Sequence, residues 1–440
     1  MYNNKQIWSI SYPILLGLLA QNIINVTNTA FLGHVSEVAL GASAMGGLFY
    51  VCIFTIAFGF SVGSQIVIAR RNGEQQYQDV GPVMNQGCIF LVILAILVFA
   101  LTKGFGGSIM RIMVSSDAIY DATMEFLDWR IFGFFFSFAS AMFRAFYIGI
   151  TRTKVLTVNA IVMALTNVVL DYALIFGNFG FPEMGIKGAA IASVIAEASS
   201  ILFYIVYTYI TVDLKKYGLN KLRAFDTTLL MRILSISSFM MLQYFLSMST
   251  FFVFFMVVER LGQRELAIAN IIRSIYILLF IPVNALATTA NSLVSNAIGA
   301  GGIQYVMKLI KKIASMDFLI MVALGGLISL FPKAIISIYT SDATLIAECI
   351  PSVYVICAAM LVASVANVVF NSISGTGNTR AALILESGTL VFYVTYLLMI
   401  GRVLKAPVHI CFTTELVYYC LLLVLSCIYL KKAKWQNKTI

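Results

Sequence analysis

Charge is scarce in this chain. Only 11% of its 440 residues are Asp, Glu, Lys or Arg, while 60% are hydrophobic. A soluble domain carries about 25% charged residues, so a water-soluble globular fold is excluded and a polytopic membrane protein is indicated. Histidine is scarcer still, with His34 and His409 alone, both at span ends expected to face outside. No histidine–carboxylate pair, serine nucleophile elbow or metal-ligand cluster falls inside the apolar segments, which argues against a membrane enzyme. The seven cysteines lie in or beside apolar segments without paired spacing. They read as small apolar residues rather than as a disulfide or metal framework. The net charge of +10 sits in short loops. That distribution points to membrane topology and not to nucleic acid. The first apolar stretch, from about Ile10, is long, is polar in its second half and lacks a small-residue cleavage site, so it reads as a span and not as a cleaved signal.

What is present is a pattern written twice. Gly149-Ile150-Thr151-Arg152-Thr153-Lys154 recurs 226 residues later as Gly375-Thr376-Gly377-Asn378-Thr379-Arg380. Gly73 and Gly299 share that offset, and Ser116-Asp117-Ala118 returns as Ser341-Asp342-Ala343. Apolar stretches long enough to cross ~30 Å of hydrocarbon fall at roughly 9–32, 40–69, 83–101, 124–150, 155–177, 185–211, 232–258, 266–300, 305–331, 347–372, 380–400 and 408–430. The expected fold is therefore all-α, with twelve transmembrane helices in two pseudo-symmetric six-helix lobes. The lobes take residues 1–211 and 232–440, joined by a basic inter-lobe linker at 212–231 that holds Lys215, Lys216, Lys221 and Arg223. With both termini cytoplasmic, this linker and the C-terminal Lys431, Lys432, Lys434 and Lys438 lie inside, and loop cations inside outnumber those outside by about two to one. An even number of spans per half makes the repeats parallel. That arrangement suits alternating access around a central cleft better than a passive channel.

An ionisable group in hydrocarbon costs at least ~2.5–3.5 kcal/mol on insertion scales, so each needs a partner or a watery cavity. The fifth span carries Asn167 and Asp171 at i,i+4, on one face, with Asp171 ~24 Å above the helix start. The first span carries Asn22, Asn25 and Asn28 at i, i+3, i+6, with Gln21 beside them and Asn28 level with Asp171. The sixth span places Glu197 near mid-depth, flanked by Ser193 and Ser200. Asp171, Asn167, Asn28 and Glu197 are thus the expected cation or proton site, since oxygen ligands suit Na+ and a buried carboxylate equally suits a proton. Helix–helix hydrogen bonding is the plainer alternative for the amides. The repeat partner of Asp171 is Leu397, so the coupling chemistry belongs to the first half. In the second half, Arg273 and Glu415 share a depth and are expected to form a structural ion pair. Glu386, one to two turns from the cytoplasmic end, lies within reach of interfacial water. Glu259, Arg260, Arg264 and Glu265 at the 7–8 turn read as solvated. The seventh span interleaves Tyr244, Phe245, Met248, Phe251, Phe252, Phe255 and Met256 with small hydroxyl residues. Such a stripe can serve adaptable ligand binding, or simply lipid contact and packing.

The chain resembles the multidrug and toxic compound extrusion (MATE) family along nearly its whole length. The residues that carry the resemblance are Pro13; Asn28-Thr29-Ala30-Phe31-Leu32-Gly33 with Ala39-Leu40; Gly149 to Lys154; Asn167 to Asp171, followed by Gly185-Ile186-Lys187-Gly188-Ala189-Ala190; Leu261-Gly262 with Leu266-Ala267; and Gly375 to Arg380. The resemblance implies export of amphipathic, often cationic drugs or toxic metabolites across the cell inner membrane, in antiport with Na+ or H+. It implies no cofactor beyond that ion, a possible Na+ at Asp171, and the lipid bilayer as partner; a monomer is expected. The family's first-span Asp is Asn28 here, and Gln243 to Thr250 holds no counterpart of a seventh-span Glu used by some members. Asp171, helped by Glu197, is left to carry the charge. Substrate contacts are expected at Asn22, Asn25, Gln243, Tyr244 and Met248. A lipid-linked oligosaccharide flippase of the same superfamily is the alternative, disfavoured by twelve spans and few cations inside them.

Overall fold

The computed structural model describes residues 2–114, 116–220, 225–433 and 435–437. Its helices are α1 (Asn4–Val35), α2 (Glu37–Gly73), α3 (Val80–Met113), α4 (Asp117–Arg130), α5 (Gly133–Gly149), α6 (Lys154–Phe176), α7 (Gly185–Thr211), α8 (Thr227–Glu259), α9 (Gln263–Gly299), α10 (Val306–Leu330), α11 (Pro332–Ile336), α12 (Ala343–Gly375), α13 (Thr379–Leu398), α14 (Val408–Cys411) and α15 (Thr413–Lys432). Among the described residues, eleven helical segments are long and apolar enough to cross a membrane. The twelfth is the pair α4 and α5, bent by 54°. The expected fourth span at 124–150 therefore runs through a break. Residues such as Ile96, Leu97, Leu101 and Phe105 of α3 are exposed. They face outward because lipid is as apolar as they are.

The repeat holds at the level of the backbone. A short 3-10 turn covers Tyr77–Asp79 and another covers Ile303–Tyr305, and the helices that follow begin at Val80 and Val306. Each pair is again 226 apart. Positive φ occurs at Gln75 (61°) and at its partner Gly301 (74°), and at Thr151 (61°) and its partner Gly377 (90°). A left-handed residue ends the connection in both halves because the chain must reverse within a few residues there. Gly149 and Gly375 close α5 and α12 for one reason: a Cβ at Gly149 would lie 2.6 Å from Ile68 Cγ2, and one at Gly375 would collide with the backbone of Asn291. Glycine at both places lets two helices approach closely.

The described residues divide into two compact units, one of Tyr12–Met241 and the other of Met1–Ser11 with Leu242–Ile440. In the first, Leu32, Ala42, Met110, Phe126, Leu127, Ile175 and Ala190 form part of the core. The described part of the basic linker belongs to this unit. Gly81 N–H donates to Tyr217 O at 2.7 Å, and Gln78 Nε2 donates to Lys215 O at 2.6 Å. Lys221 and Arg223, and the C-terminal Lys434 and Lys438, lie outside the described residues. In the second unit, Ile272, Ile275, Val353, Ile356, Met360 and Ala363 pack α9 against α12. At one end of this unit Arg264, expected to be solvated, is exposed but ion-paired: it reaches Asp342 at 2.9 Å and Glu348 at 2.6 Å. Asp342 also caps α12, accepting from the Thr344 and Leu345 amides. Hydrogen bonds from the Thr344 hydroxyl and from Arg264 hold its carboxyl below the usual carboxylate range.

The Gly149 contact yields a stability test. Gly149→Ala should lower the melting temperature of the purified protein, since overpacking costs about 1–3 kcal/mol. Gly104→Ala, where an added Cβ meets nothing within 4 Å, should leave it unchanged or slightly raised. Equal melting temperatures for both variants would remove the close-approach explanation.

Candidate functional site

In the first unit α1 and α6 bring three predicted residues together. Asn167 and Asp171 lie on one face of α6 and are 1% and 0% exposed. With its amide oriented to suit its neighbours, Asn28 of α1 donates to Asp171 Oδ2 at 2.5 Å and to Asn167 Oδ1 at 2.7 Å. Asp171 Oδ1 and Asn167 Nδ2 have no protein partner. A buried carboxylate oxygen with no donor is costly unless a proton or a cation meets it. Such a cluster can therefore take up one positive charge and release it.

Glu197 does not join this cluster, contrary to expectation. Its carboxylate accepts two bonds from Arg130, Nη1 to Oε2 at 2.9 Å and Nη2 to Oε1 at 2.7 Å. Tyr50 donates to the same carboxylate and shares a 2.8 Å hydrogen bond with Ser137. The Arg130 guanidinium stacks 3.5 Å over the Tyr50 ring. Gly133 leaves the space, since a Cβ there would collide with Arg130 Nη1 and Glu197 Oε2. The reason is the break after α4: it turns Arg130 inward, and an arginine in hydrocarbon takes the nearest carboxylate. Ser200, expected beside Glu197, donates instead to Asn159 Oδ1 at 3.0 Å.

Tyr50, Arg130, Ser137, Glu197 and Ser200 line a cavity of about 270 Å³. Gln21 and Asn25 of α1 reach it, as do Phe54, Phe58, Arg144, Asn159 and Tyr204. Asn22, expected to contact substrate, is not among the lining residues.

The second unit holds its own cavity, also about 270 Å³. Gln243 and Tyr244 line it as expected, and Met248 does not. Two carboxylates line it. Glu415 accepts from Tyr393 at 2.9 Å, and Glu386 accepts from Tyr418 at 3.3 Å and from Ser247. The expected Arg273–Glu415 ion pair is absent among the described residues: the Arg273 guanidinium lies 5.5 Å over the Phe255 ring instead. Equal depth allows the pair, but the two side chains leave their helices toward different neighbours. Glu386 is only 4% exposed. The face of α13 that holds Ala382, Glu386, Thr389 and Tyr393 is buried, so the residue does not reach interfacial water. Asp317 of α10 is a further buried carboxylate, one that the sequence reading passes over. It is 0% exposed and neither carboxylate oxygen has a protein partner. An Asp between Met316 and Phe318 within an apolar run is the signal that could find it.

The two cavities are built from the same repeat positions. Tyr50 and Tyr276, Phe54 and Phe280, Gln21 and Ser247, Asn25 and Phe251, and Arg144 and Phe370 each differ by 226, and both members of each pair line their respective cavities. The duplication thus made two pockets, and the side chains then diverged.

The Arg130–Glu197 pair has a direct test. Glu197→Ala should lower yield or melting temperature sharply, because one buried charge left alone costs about 3–5 kcal/mol. Arg130→Met with Glu197→Met should recover part of that loss. Additive single effects in the double-mutant cycle would dismiss the pair as a unit.

A model of the MatE family matches residues 13–173 and 240–397. The chain is similar to the probable multidrug resistance protein NorM of Thermotoga maritima, 24% identical over 384 residues that cover 87% of this chain and 82% of the relative. It is also similar to the NorM of Idiomarina loihiensis, 24% identical over 361 residues, covering 78% and 75%. Among solved structures, MATE in complex with MaL6 shares the fold with a TM-score of 0.89 at 18% identity, covering 99% of this chain and 97% of that one. An outward-facing multidrug resistance MATE family transporter of the MOP superfamily gives 0.86 at 18% identity with the same coverage. The matched stretches fall in the two repeat halves and include Asn28, Asn167 and Asp171. This chain belongs to the MatE family.

Proposed function

We propose that this protein is a multidrug efflux transporter, exporting amphipathic cationic compounds by alternating access in antiport with Na+ or H+. The observation that carries the reading is the buried Asp171 with Asn28 and Asn167 around it and one oxygen left without a donor. Inward movement of a cation onto that oxygen is the natural source of energy. The same donor set serves Na+, through carboxylate and amide oxygens, and H+, through the carboxylate alone. Asn28 supplies a hydrogen bond and no charge, so Asp171 carries the coupling by itself. Glu197 is engaged by Arg130 and plays a structural part. The second cavity supports the cationic character of the substrate. It offers Glu386 and Glu415 among Tyr276, Tyr393, Tyr418 and Tyr419, and no basic side chain among the described residues lines it. Carboxylates and aromatic faces together attract an organic cation. The protein sits in the cell inner membrane as a monomer with both termini cytoplasmic and uses no resident cofactor.

Proteoliposomes loaded with ethidium, with a Na+ gradient or a pH gradient imposed separately, test the reading. Efflux should follow one gradient and vanish in Asp171→Asn, while the variant keeps its melting temperature within a few degrees. Asn28→Asp should alter the Na+ or pH dependence. Undiminished gradient-driven efflux by Asp171→Asn would overturn the coupling role.

A further inference from the structure

The two cavities share their framework but differ in sign. Three charged residues line the first: Arg130, Glu197 and Arg144. Arg130 and Glu197 neutralise each other in a bidentate pair. Arg144 then sets the sign of the lining at one positive charge. Its repeat partner in the second cavity is Phe370, and the position held by Ala160 in the first is held by Glu386 in the second. Both substitutions move the balance the same way, positive in one pocket and negative in the other.

Arg144 is also placed to be used. It projects from α5 into the cavity, with its guanidinium 5.2 Å over the Phe58 ring. The cation–π contact holds the group beside the aromatic wall, and its five N–H donors suffice for a protein neighbour and a ligand together. Around it stand the aromatic walls of Phe54, Phe58 and Tyr204 and the amides of Gln21 and Asn25. A charged arginine in a membrane helix is expensive and is kept there for a partner or a function.

We propose that the cavity of the first unit binds the anionic group, carboxylate, sulfonate or phosphate, of an amphipathic compound, with Arg144 as the charged contact and the aromatic walls holding the apolar body. The substrate range then includes organic anions and zwitterions alongside cations. This rests on the transport reading above in taking the cavity as open to substrate. Arg144 can make two parallel hydrogen bonds to such a group, which a lysine cannot match in geometry though it keeps the charge.

The test is calorimetric binding of 2-naphthalenesulfonate to the full-length protein in detergent. The wild type should bind it saturably, and about tenfold more tightly than neutral 2-ethylnaphthalene. Arg144→Gln should weaken the sulfonate by about tenfold or more and leave the neutral compound unchanged. Arg144→Lys should retain part of the affinity. Should the Gln variant fail to melt cooperatively, the wild-type preference for the sulfonate over the neutral compound decides. Absent or unsaturable sulfonate binding, no preference over the neutral compound, or equal affinity in Arg144→Gln would each overturn the proposal. Ethidium efflux without sulfonate binding would sink this inference alone. Sulfonate binding without gradient-driven efflux would sink the transport reading alone.

Discussion

A charge inside a bilayer must be matched where it stands. Water is not there to solvate it, and the cost of leaving it bare exceeds most single contributions to stability. The polar architecture of this protein follows from that constraint. Arg130 and Glu197 satisfy each other, with Tyr50 and Ser137 completing the set. Glu415 accepts from a tyrosine hydroxyl, and one oxygen of Glu386 accepts from a tyrosine and a serine hydroxyl. Asp171 and Asp317 keep carboxylate oxygens without a protein donor, and only Asp171 has amides of the predicted cluster beside it.

The duplication supplied the scaffold and its later divergence supplied the chemistry. Backbone features survive in both halves: the 3-10 turns, the left-handed residues after α2 and α9, and the glycines that close α5 and α12. These depend on sterics, and sterics tolerate little change. Cavity-lining side chains are freer. Tyr50 and Tyr276 are still alike, whereas Arg144 has Phe370 as its repeat counterpart and Asp171 has Leu397. Each half keeps a pocket of equal size and gives it a different electrostatic character.

Much of the site is legible in the order of residues alone. The i,i+4 spacing places Asn167 and Asp171 on one face, and matching depth puts Asn28 beside them; the folded chain brings all three into contact. Gln243 and Tyr244 line the cavity wall expected of them. The expectations that fail share one origin. Depth groups Glu197 with Asp171, and Arg273 with Glu415, but depth along a helix does not say which neighbouring helix a side chain meets. The bend between α4 and α5 sends Arg130 to Glu197. The burial of one face of α13 sends Glu386 inward.

The sequence by itself therefore determined the class of protein, the spans, the twofold repeat and the face of each helix that carries polar groups. Those are properties of composition and of the 3.6-residue period, both of which are local. The partners of each buried charge, the sign of each cavity and the exclusion of Glu197 from the Asp171 cluster were decided only in the tertiary structure. They depend on which helices pack together and at what rotation, because the charge-assisted hydrogen bonds that join such partners form only at about 2.7–2.9 Å.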